Sequence, residues 1–574
     1  MHDMIRYRVG AGVLAVATLL PGMVCAQESA AGADGAASDA VAVSRGLIAH
    51  WPLAGDARDH SAGAHHARPV GSVDFDLAGR SNKPQSAAGF NGRDAYLEVP
   101  DAVARAIGKG DFTWSAWVHT DRALDDVPGD LVSQYDPTAR RGFHLTLKSN
   151  AAVANSQANF RQLQFGIDNH QETDWVDRGR PGNTILAFAL AVCDGQLYAG
   201  TCEAEVDGTG HVYRYDGGTK WVDCGAPVQC NAVTSLAVLD GKLYVGTGKY
   251  RLRGSALAES PNTNLGGEIL RYDGDGHWTP CGRLPDVEAI GALAVYRDQL
   301  YASSLYRPAS FYRYEGGTRW VDCGTPGKRV EALGVYNGYI YATSYDGGLV
   351  FRFDGAKWTD CGQLGSAEEN TQTYSFAVYQ GRLYVGTWRS GRVYRFEGVD
   401  QWTDVGRLGE ELEVMGMLVH NGRLMAGTLP LAEVYDYAGG QTWRRMKQLD
   451  TTPDVRYRRA WTMAEFNGEV FCSTLPSGNV WSYRAGCTAM ADRSLPPGWH
   501  HVAAVKSSDR LRLYVDGKLA AKSRSFEPSD HDLTCDAPLR IGFGQNDYFF
   551  GRMSDVRCYS RALTHAEVGR LATQ

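Results

Sequence analysis

At matching places in a repeated pattern this chain sets an aromatic ring beside an arginine, at Tyr250-Arg251, Tyr306-Arg307 and Trp388-Arg389, and a later loop adds Tyr457-Arg458. Arg253 adds a cation after the first, Tyr345-Asp346 falls between the second and third, and the last belongs to Arg456-Tyr-Arg-Arg459. Aromatic faces stack on the apolar face of a sugar ring, and guanidinium groups pair two-pronged with carboxylate or sulfate. Tyr250, Arg251, Arg253, Tyr306, Arg307, Tyr345, Trp388, Arg389, Tyr457 and Arg458 together therefore suit an acidic polysaccharide. Arginine over tyrosine is also an ordinary surface pairing, so residue type alone leaves both readings open.

A second set is acidic. Glu288, Glu331 and Glu413 each stand within two or three residues of the start of an apolar run. If the three converge, crowding raises at least one pKa and suits general acid or base work. Glu368, Glu369 and Tyr374 occupy the matching stretch of another unit. The alternative is that these carboxylates cap loops or pair with Arg283, Arg329 and Arg407 nearby. Elimination from a uronic acid needs a cation on the carboxylate and a Tyr, His or Lys to move the proton. Hydrolysis needs two carboxylates at a defined separation, or a tyrosine nucleophile. The repeat region offers Arg and Tyr in quantity but only scattered histidines (His211, His277, His420), and no catalytic residue is assigned.

The elements that would carry these residues recur. An apolar strand, a tight turn and a second strand repeat seven times between about residues 186 and 486, clearest as Leu236-Ala-Val-Leu-Asp-Gly-Lys-Leu-Tyr-Val-Gly-Thr247. A third line (Tyr213-Arg-Tyr-Asp-Gly217) and a fourth (Trp221-Val-Asp-Cys-Gly225) complete the unit. Units of four strands at this spacing are propeller blades. The seventh unit lacks a fourth line, while a stray one, Asp174-Trp-Val-Asp-Arg-Gly179, precedes the first. That N-terminal strand is expected to complete the last blade and close the ring, which removes open sheet edges. The array resembles kelch-type propellers, although GT or TS stands where kelch has a glycine pair. Asp194-Gly, Asp240-Gly, Asn337-Gly, Gln380-Gly, Asn421-Gly and Asn467-Gly fit two-residue primed turns between strands one and two. Short turns on that face leave the long loops, and the candidate residues, on the other.

The flanks carry a different pattern. Gly46-Leu-Ile-Ala-His-Trp-Pro-Leu53, Phe90-Asn-Gly-Arg-Asp-Ala-Tyr-Leu-Glu-Val-Pro100 and Phe112-Thr-Trp-Ser-Ala-Trp-Val118 come before the repeats. Trp499-His-His-Val-Ala-Ala-Val505, Leu511-Arg-Leu-Tyr-Val-Asp-Gly-Lys518, Leu539-Arg-Ile-Gly-Phe-Gly544 and Phe550-Gly-Arg-Met-Ser-Asp-Val-Arg-Cys-Tyr559 come after. In this order the motifs resemble the laminin G-like, concanavalin A-like jelly-roll family. The resemblance implies one sandwich split between residues 167 and 499, with the propeller inserted between two neighbouring strands. It also implies a calcium ion near Asp56, Asp59 and Asp555, and it makes His500 and His501 structural. Turn capping by the same aspartates is the other reading.

The expected fold is therefore all-β, a seven-bladed propeller inserted into a jelly-roll sandwich. The expected parts are a signal peptide (1–26), a disordered lead-in (27–44), the first half of the sandwich (45–170), the propeller (171–487) and the second half (488–574). Arg6 and Arg8, the apolar run from Ala11 to Leu20 and Val24-Cys-Ala26 read as a cleavable export signal, so the mature protein is expected to be secreted or periplasmic. The later chain has no apolar run long enough to span a bilayer. A net charge of −7 over 574 residues argues against nucleic acid as partner. Cys224, Cys281, Cys323 and Cys361 share one place in the fourth line, which points to packing; Cys224–Cys230 and Cys535–Cys558 are candidate disulfides.

Function divides three ways on this reading. The first is an exported protein binding an acidic polysaccharide or glycoconjugate as part of bacterial glycan use. The second is a propeller-based polysaccharide lyase or glycoside hydrolase with the jelly roll as binding module. The third is a protein–protein scaffold. Oligomeric state stays open.

Overall fold

The structure, a computed structural model, describes residues 44–100, 107–205 and 208–574. The expected signal peptide, Cys25 and all but the last residue of the lead-in lie outside the described residues. Strands dominate, and the fold is all-β.

Two facing sheets form a sandwich. One orders Asp74–Leu77, Ala87–Asn91, Phe550–Tyr559, Phe112–Thr120, Gly498–Ser507, Arg510–Val515 and Lys518–Lys522, with Leu47–Trp51 also paired to Phe550–Tyr559. The other orders Arg68–Val70, Tyr96–Val99, Leu539–Ile541, Gly129–Asp136, Arg141–Lys148, Gln162–Glu172 and Ala485–Ser494. Alternation explains the core: Phe112, Trp114, Ala116 and Val118 of one strand all point inward. Trp114 stacks on Trp51 at 6.2 Å, and Phe112 meets Phe143 of the facing sheet at 5.4 Å. Both sheets mix strands from the two ends of the chain. Residue 172 pairs with residue 485, so the chain departs and returns at neighbouring positions of adjacent strands.

Between those positions lie seven four-stranded blades. Their inner strands are Leu186–Cys193, Ala232–Leu239, Ile290–Tyr296, Val330–Tyr336, Gln372–Tyr379, Glu413–His420 and Arg459–Phe466, here blades one to seven. These strands are almost wholly buried, since both faces lie against neighbouring blades. Blade seven takes its outer strand from before blade one: Val176 pairs with Ser482 and Asp177 with Trp481. Trp175 stacks on Tyr483 at 5.2 Å and locks this closure. The first-to-second turns have left-handed backbone at both central residues, as in Asp194 (φ 48) with Gly195 (φ 79), which matches the strand twist. Blade three makes the same turn without glycine, at Arg297 (φ 49) and Asp298 (φ 63). Arg297 bonds Asp125 at 2.9 Å and Asp298 accepts from Arg122 at 2.5 Å, contacts that offset the local strain.

Those partners belong to the sandwich, which covers the tight-turn face. Arg122 also bonds Asp240, Gln380 N–H donates to the Gln545 carbonyl at 3.0 Å, and Asn421 Nδ2 donates to the Ile167 carbonyl at 3.0 Å. Between Arg141–Lys148 and Gln162–Glu172 the sandwich sends residues 149–161 up the propeller axis. The middle of this plug, Asn-Ala-Ala-Val-Ala-Asn-Ser-Gln-Ala-Asn at 150–159, is uncharged and buried throughout. Inner-strand backbone groups facing the axis need partners once water is excluded. The plug supplies them: the Ala152 carbonyl accepts from Phe376 N–H at 3.1 Å, Gln157 Oε1 from Val295 N–H at 2.7 Å and the Ala158 carbonyl from Val192 N–H at 2.9 Å. Asn159 brackets the Glu465 backbone, donating to its carbonyl at 2.7 Å and accepting its N–H at 2.9 Å. At the plug's root, the buried Lys148 ammonium meets Glu465 Oε2 at 2.6 Å.

The candidate disulfides are not formed; every cysteine among the described residues is a free thiol. Cys224 packs between blades one and two with its thiol toward the Val222 carbonyl, and Cys230 points to the Ala232 carbonyl. Cys558 lies in the sandwich core, whereas Cys535 is half-exposed.

Candidate functional site

Each inner strand has a plug end, near the tight turn, and a mouth end. Three of the seven carry an ionisable residue in their first two positions, at the mouth: Glu331 in blade four, Glu413 in blade six and Arg459 in blade seven. Second-strand ends add rings beside them, Tyr250, Tyr306, Tyr345 and Trp388. Side chains of non-adjacent blades meet only near the axis, and Tyr250 of blade two meets Trp461 of blade seven at 6.2 Å. Phe188 of blade one lies between them, 4.9 Å from Tyr250 and 4.8 Å from Trp461, and Tyr345 of blade four meets Tyr374 of blade five at 5.5 Å.

Under the rings sits a buried polar floor. Glu331 is 4% exposed, Glu413 1%, Arg459 6% and Trp461 4%. Arg459 Nε lies 3.7 Å from Glu413 Oε2. Five atoms of this floor make no close hydrogen bond (Glu331 Oε2, Glu413 Oε1, Arg459 Nε and Nη1, and Trp461 Nε1), although the Tyr345 phenol faces the Glu331 carboxyl and the Tyr374 phenol faces that of Glu413. Burial, reinforced by the Glu413 charge, drives the Glu331 carboxyl well above its ordinary range. Burial also raises Glu413, opposed by Arg459. The phenols of Tyr345 and Tyr374 are pushed well up by burial and by the adjacent carboxylates. The cluster thus holds a carboxyl that favours its proton beside a second one facing a guanidinium, and it presents both donors and acceptors.

The sequence-nominated residues divide. Glu331 and Glu413 come together, while Glu288 stays at the rim, bonded to Arg251 at 2.6 Å. Arg251 stacks on Tyr306 at 4.3 Å, and Tyr250 is buried, its hydroxyl 2.7 Å from Ser255 Oγ. Arg307 pairs with Asp346 at 3.2 Å, an acid it shares with Arg329. Arg458 donates to the Thr452 carbonyl, and Tyr457 packs against Trp388 at 6.0 Å. Arg253, Arg389 and Arg456 are exposed, with no ion pair among the described residues. The arginines expected to neutralise the acidic set go elsewhere: Arg283 to Glu268, Arg329 to Asp346 and Arg407 to Glu410. Arg459, Phe188 and Trp461 were not nominated. A charge at the first position of an apolar inner strand was the available signal for Arg459; nothing in the sequence distinguishes Phe188 from core.

The residues nominated for calcium do not fit it. Asp59 spends its oxygens on the backbone N–H groups of His50, Ser61 and His65 and on the Ser61 hydroxyl. Asp555 is held by His50 Nε2 at 2.7 Å and Arg557 Nε at 2.8 Å, and Asp56 accepts the Arg58 N–H. No group of three or more acidic, histidine or cysteine side chains is arranged to hold a metal among the described residues. These aspartates cap turns and pair with cations.

The concanavalin A-like lectin/glucanases superfamily matches residues 443–569, from the outer strand of blade six through the second half of the sandwich. No curated protein matches the chain. Among solved structures it is similar to virginiamycin B lyase from Staphylococcus aureus, at 9% identity over 55% of this chain and 99% of that one, with a TM-score of 0.42. It is similar also to Sqt1 from Saccharomyces cerevisiae (12% identity, 55% and 98% covered, TM-score 0.35) and to the WD40 beta propeller domain of Doa1 (13%, 55% and 97%, TM-score 0.35).

Proposed function

We propose that this is an exported carbohydrate-recognition protein, part of bacterial glycan use, which binds an acidic polysaccharide on the long-loop face of its propeller. The observation that carries the reading is the axial cluster, where unpartnered buried polar atoms lie beneath aromatic rings and exposed arginines stand around the mouth. Rings supply stacking, Arg253, Arg389 and Arg456 supply charge, and the floor supplies hydrogen bonds. The lectin and glucanase superfamily match over 443–569 is compatible with a sugar ligand. On this reading the sandwich is a laminin G-like domain interrupted by a kelch-like propeller. The test is electrophoresis of the purified protein through gels holding acidic or neutral polysaccharides. Retardation by an acidic chain, lost at high salt, is expected; unaltered mobility in every gel would sink the proposal.

A second reading, polysaccharide cleavage, is favoured by the unlike environments of Glu331 and Glu413. Burial raises both carboxyls, but only Glu413 faces an arginine that opposes the rise, and two carboxyls with unequal proton affinity are what an acid–base pair requires. Incubation with the same polysaccharides separates the two readings. Unsaturated uronate absorbance marks elimination and new reducing ends mark hydrolysis; retention of the glycan without either product marks binding alone.

A further inference from the structure

The axis is open from one side only. On the sandwich side the plug fills it, bonding the inner strands of blades one, three, five and seven. The filling reaches close to the mouth. Phe376 N–H is bonded to the plug, and Tyr374, two residues earlier on the same strand, already belongs to the axial cluster. Likewise the Thr462 hydroxyl donates to the Val153 carbonyl, next to Trp461. Two strand residues span about 7 Å, so the floor rests almost directly on the plug.

We infer that the axial cluster is a terminal-residue site, which receives the end of an anionic glycan chain rather than an internal stretch. This rests on the glycan-binding reading above and specifies how the chain is held. A plugged axis cannot be threaded, so a chain reaching the floor must stop there. The five unpartnered floor atoms include donors on Arg459 and Trp461 and acceptors on Glu331 and Glu413, a mixture that suits the hydroxyls of one sugar ring. Leaving such atoms unmet in a buried site is costly, so they await a ligand or water. Tyr345 and Trp388, the rings beside the floor, are only half-buried, so part of each faces the mouth. The exposed cations stand outside the floor, where the next residues of a chain would carry their carboxylates or sulfates. End recognition thus separates two jobs, with hydroxyl contacts on the axis and charge contacts around it.

The experiment is a titration of the full-length mature protein with polygalacturonate, alginate and chondroitin sulfate, each as intact polymer and as purified short oligomers. The expected result is one bound protein per chain end whatever the chain length, with molar affinity per chain unchanged between oligomer and polymer. Arg459→Lys and Trp461→Phe should each lose at least tenfold in oligomer affinity while circular dichroism and melting stay near wild type. Should either variant misfold, Glu331→Gln, which keeps shape and volume, takes its place with the same expected loss. A number of bound proteins that grows with chain length would overturn end recognition while leaving glycan binding intact. Unchanged oligomer affinity in the folded variants would show that water alone meets the floor atoms, and would overturn it too. Failure of every polymer and oligomer to bind would remove the glycan reading and this inference together.

Discussion

Replacing Lys148 by methionine should cost about 3–4 kcal/mol, close to what removing one partner from a buried ion pair does generally. Lys148 and Glu465 are 4% and 0% exposed, and their charged atoms are 2.6 Å apart. Methionine keeps the volume of the aliphatic stem but strands the Glu465 carboxylate and frees the Val419 carbonyl that the ammonium also reaches. Two donors remain on Glu465, His420 Nδ1 at 2.8 Å and Gln164 Nε2 at 3.0 Å, which keeps the loss from the upper end of the range. Adding Glu465→Gln removes the stranded charge, so the double variant should recover most of the loss and end within about 1 kcal/mol of wild type. Urea unfolding followed by tryptophan fluorescence and circular dichroism reads both numbers. The acid limb gives an independent check. Burial alone would raise the Glu465 pKa, but Lys148 and His420 outweigh it and hold the carboxyl at about 2. A depressed carboxylate stabilises the fold above its unfolded pKa of about 4.3, and this contribution fades as pH falls toward the folded value. Lys148→Met should flatten that decline below about pH 4. A single variant costing under about 1 kcal/mol, or a double variant no better than the single, would refute the claim that the pair anchors the plug.

Other outcomes follow from the same geometry. Arg389→Ala should weaken acidic-glycan binding several-fold at low salt without moving the melting temperature, whereas Arg307→Ala should do less because Asp346 already engages it; retarded-migration assays over a salt series compare them. Glu331, whose pKa is raised by burial, stabilises the fold when protonated, so stability drops as pH climbs through its folded value. Glu331→Gln should therefore melt higher than wild type at alkaline pH and equally at acid pH, measured by thermal scans. Gly381→Ala adds a Cβ 2.4 Å from the Tyr548 ring at φ +73 and should destabilise by more than about 1 kcal/mol in urea titrations, since backbone and packing both object. Alkylation of the native protein, read by intact mass, should label Cys323 and Cys535 among the described residues and spare the buried thiols until denaturant is added.

The ring was legible because its signals are local and repeated. Tight turns, LYVGT-type strands and the Trp175 strand each occur at a fixed place in the unit, and a missing fourth line beside a stray one specifies closure. Glu331 and Glu413 were legible for the same reason, as charges in register at the head of inner strands. The plug was not legible. Asn150 to Asn159 is a run of small and amide side chains with neither strand alternation nor a turn signature, and its structure is imposed by the inner strands of blades one, three, five and seven, all distant from it in the fold's wiring. Rim pairings escaped for a related reason. Whether Arg307 meets Asp346 or a ligand depends on loop geometry, which residue type does not encode.

The plug also fixes the size of the ring. Arrays of repeats change length readily by gaining or losing a unit, and an unoccupied channel would simply widen or narrow. Here the bore is gauged by a segment whose bonds to Val192, Val295, Phe376, Thr462 and Glu465 fit only one circumference. A chain with six or eight blades would leave those amides and carbonyls unmet and strand the sandwich turns from their partners. Blade number in this protein is thus held by a loop of another domain, and the propeller cannot drift in copy number while the sandwich remains beneath it.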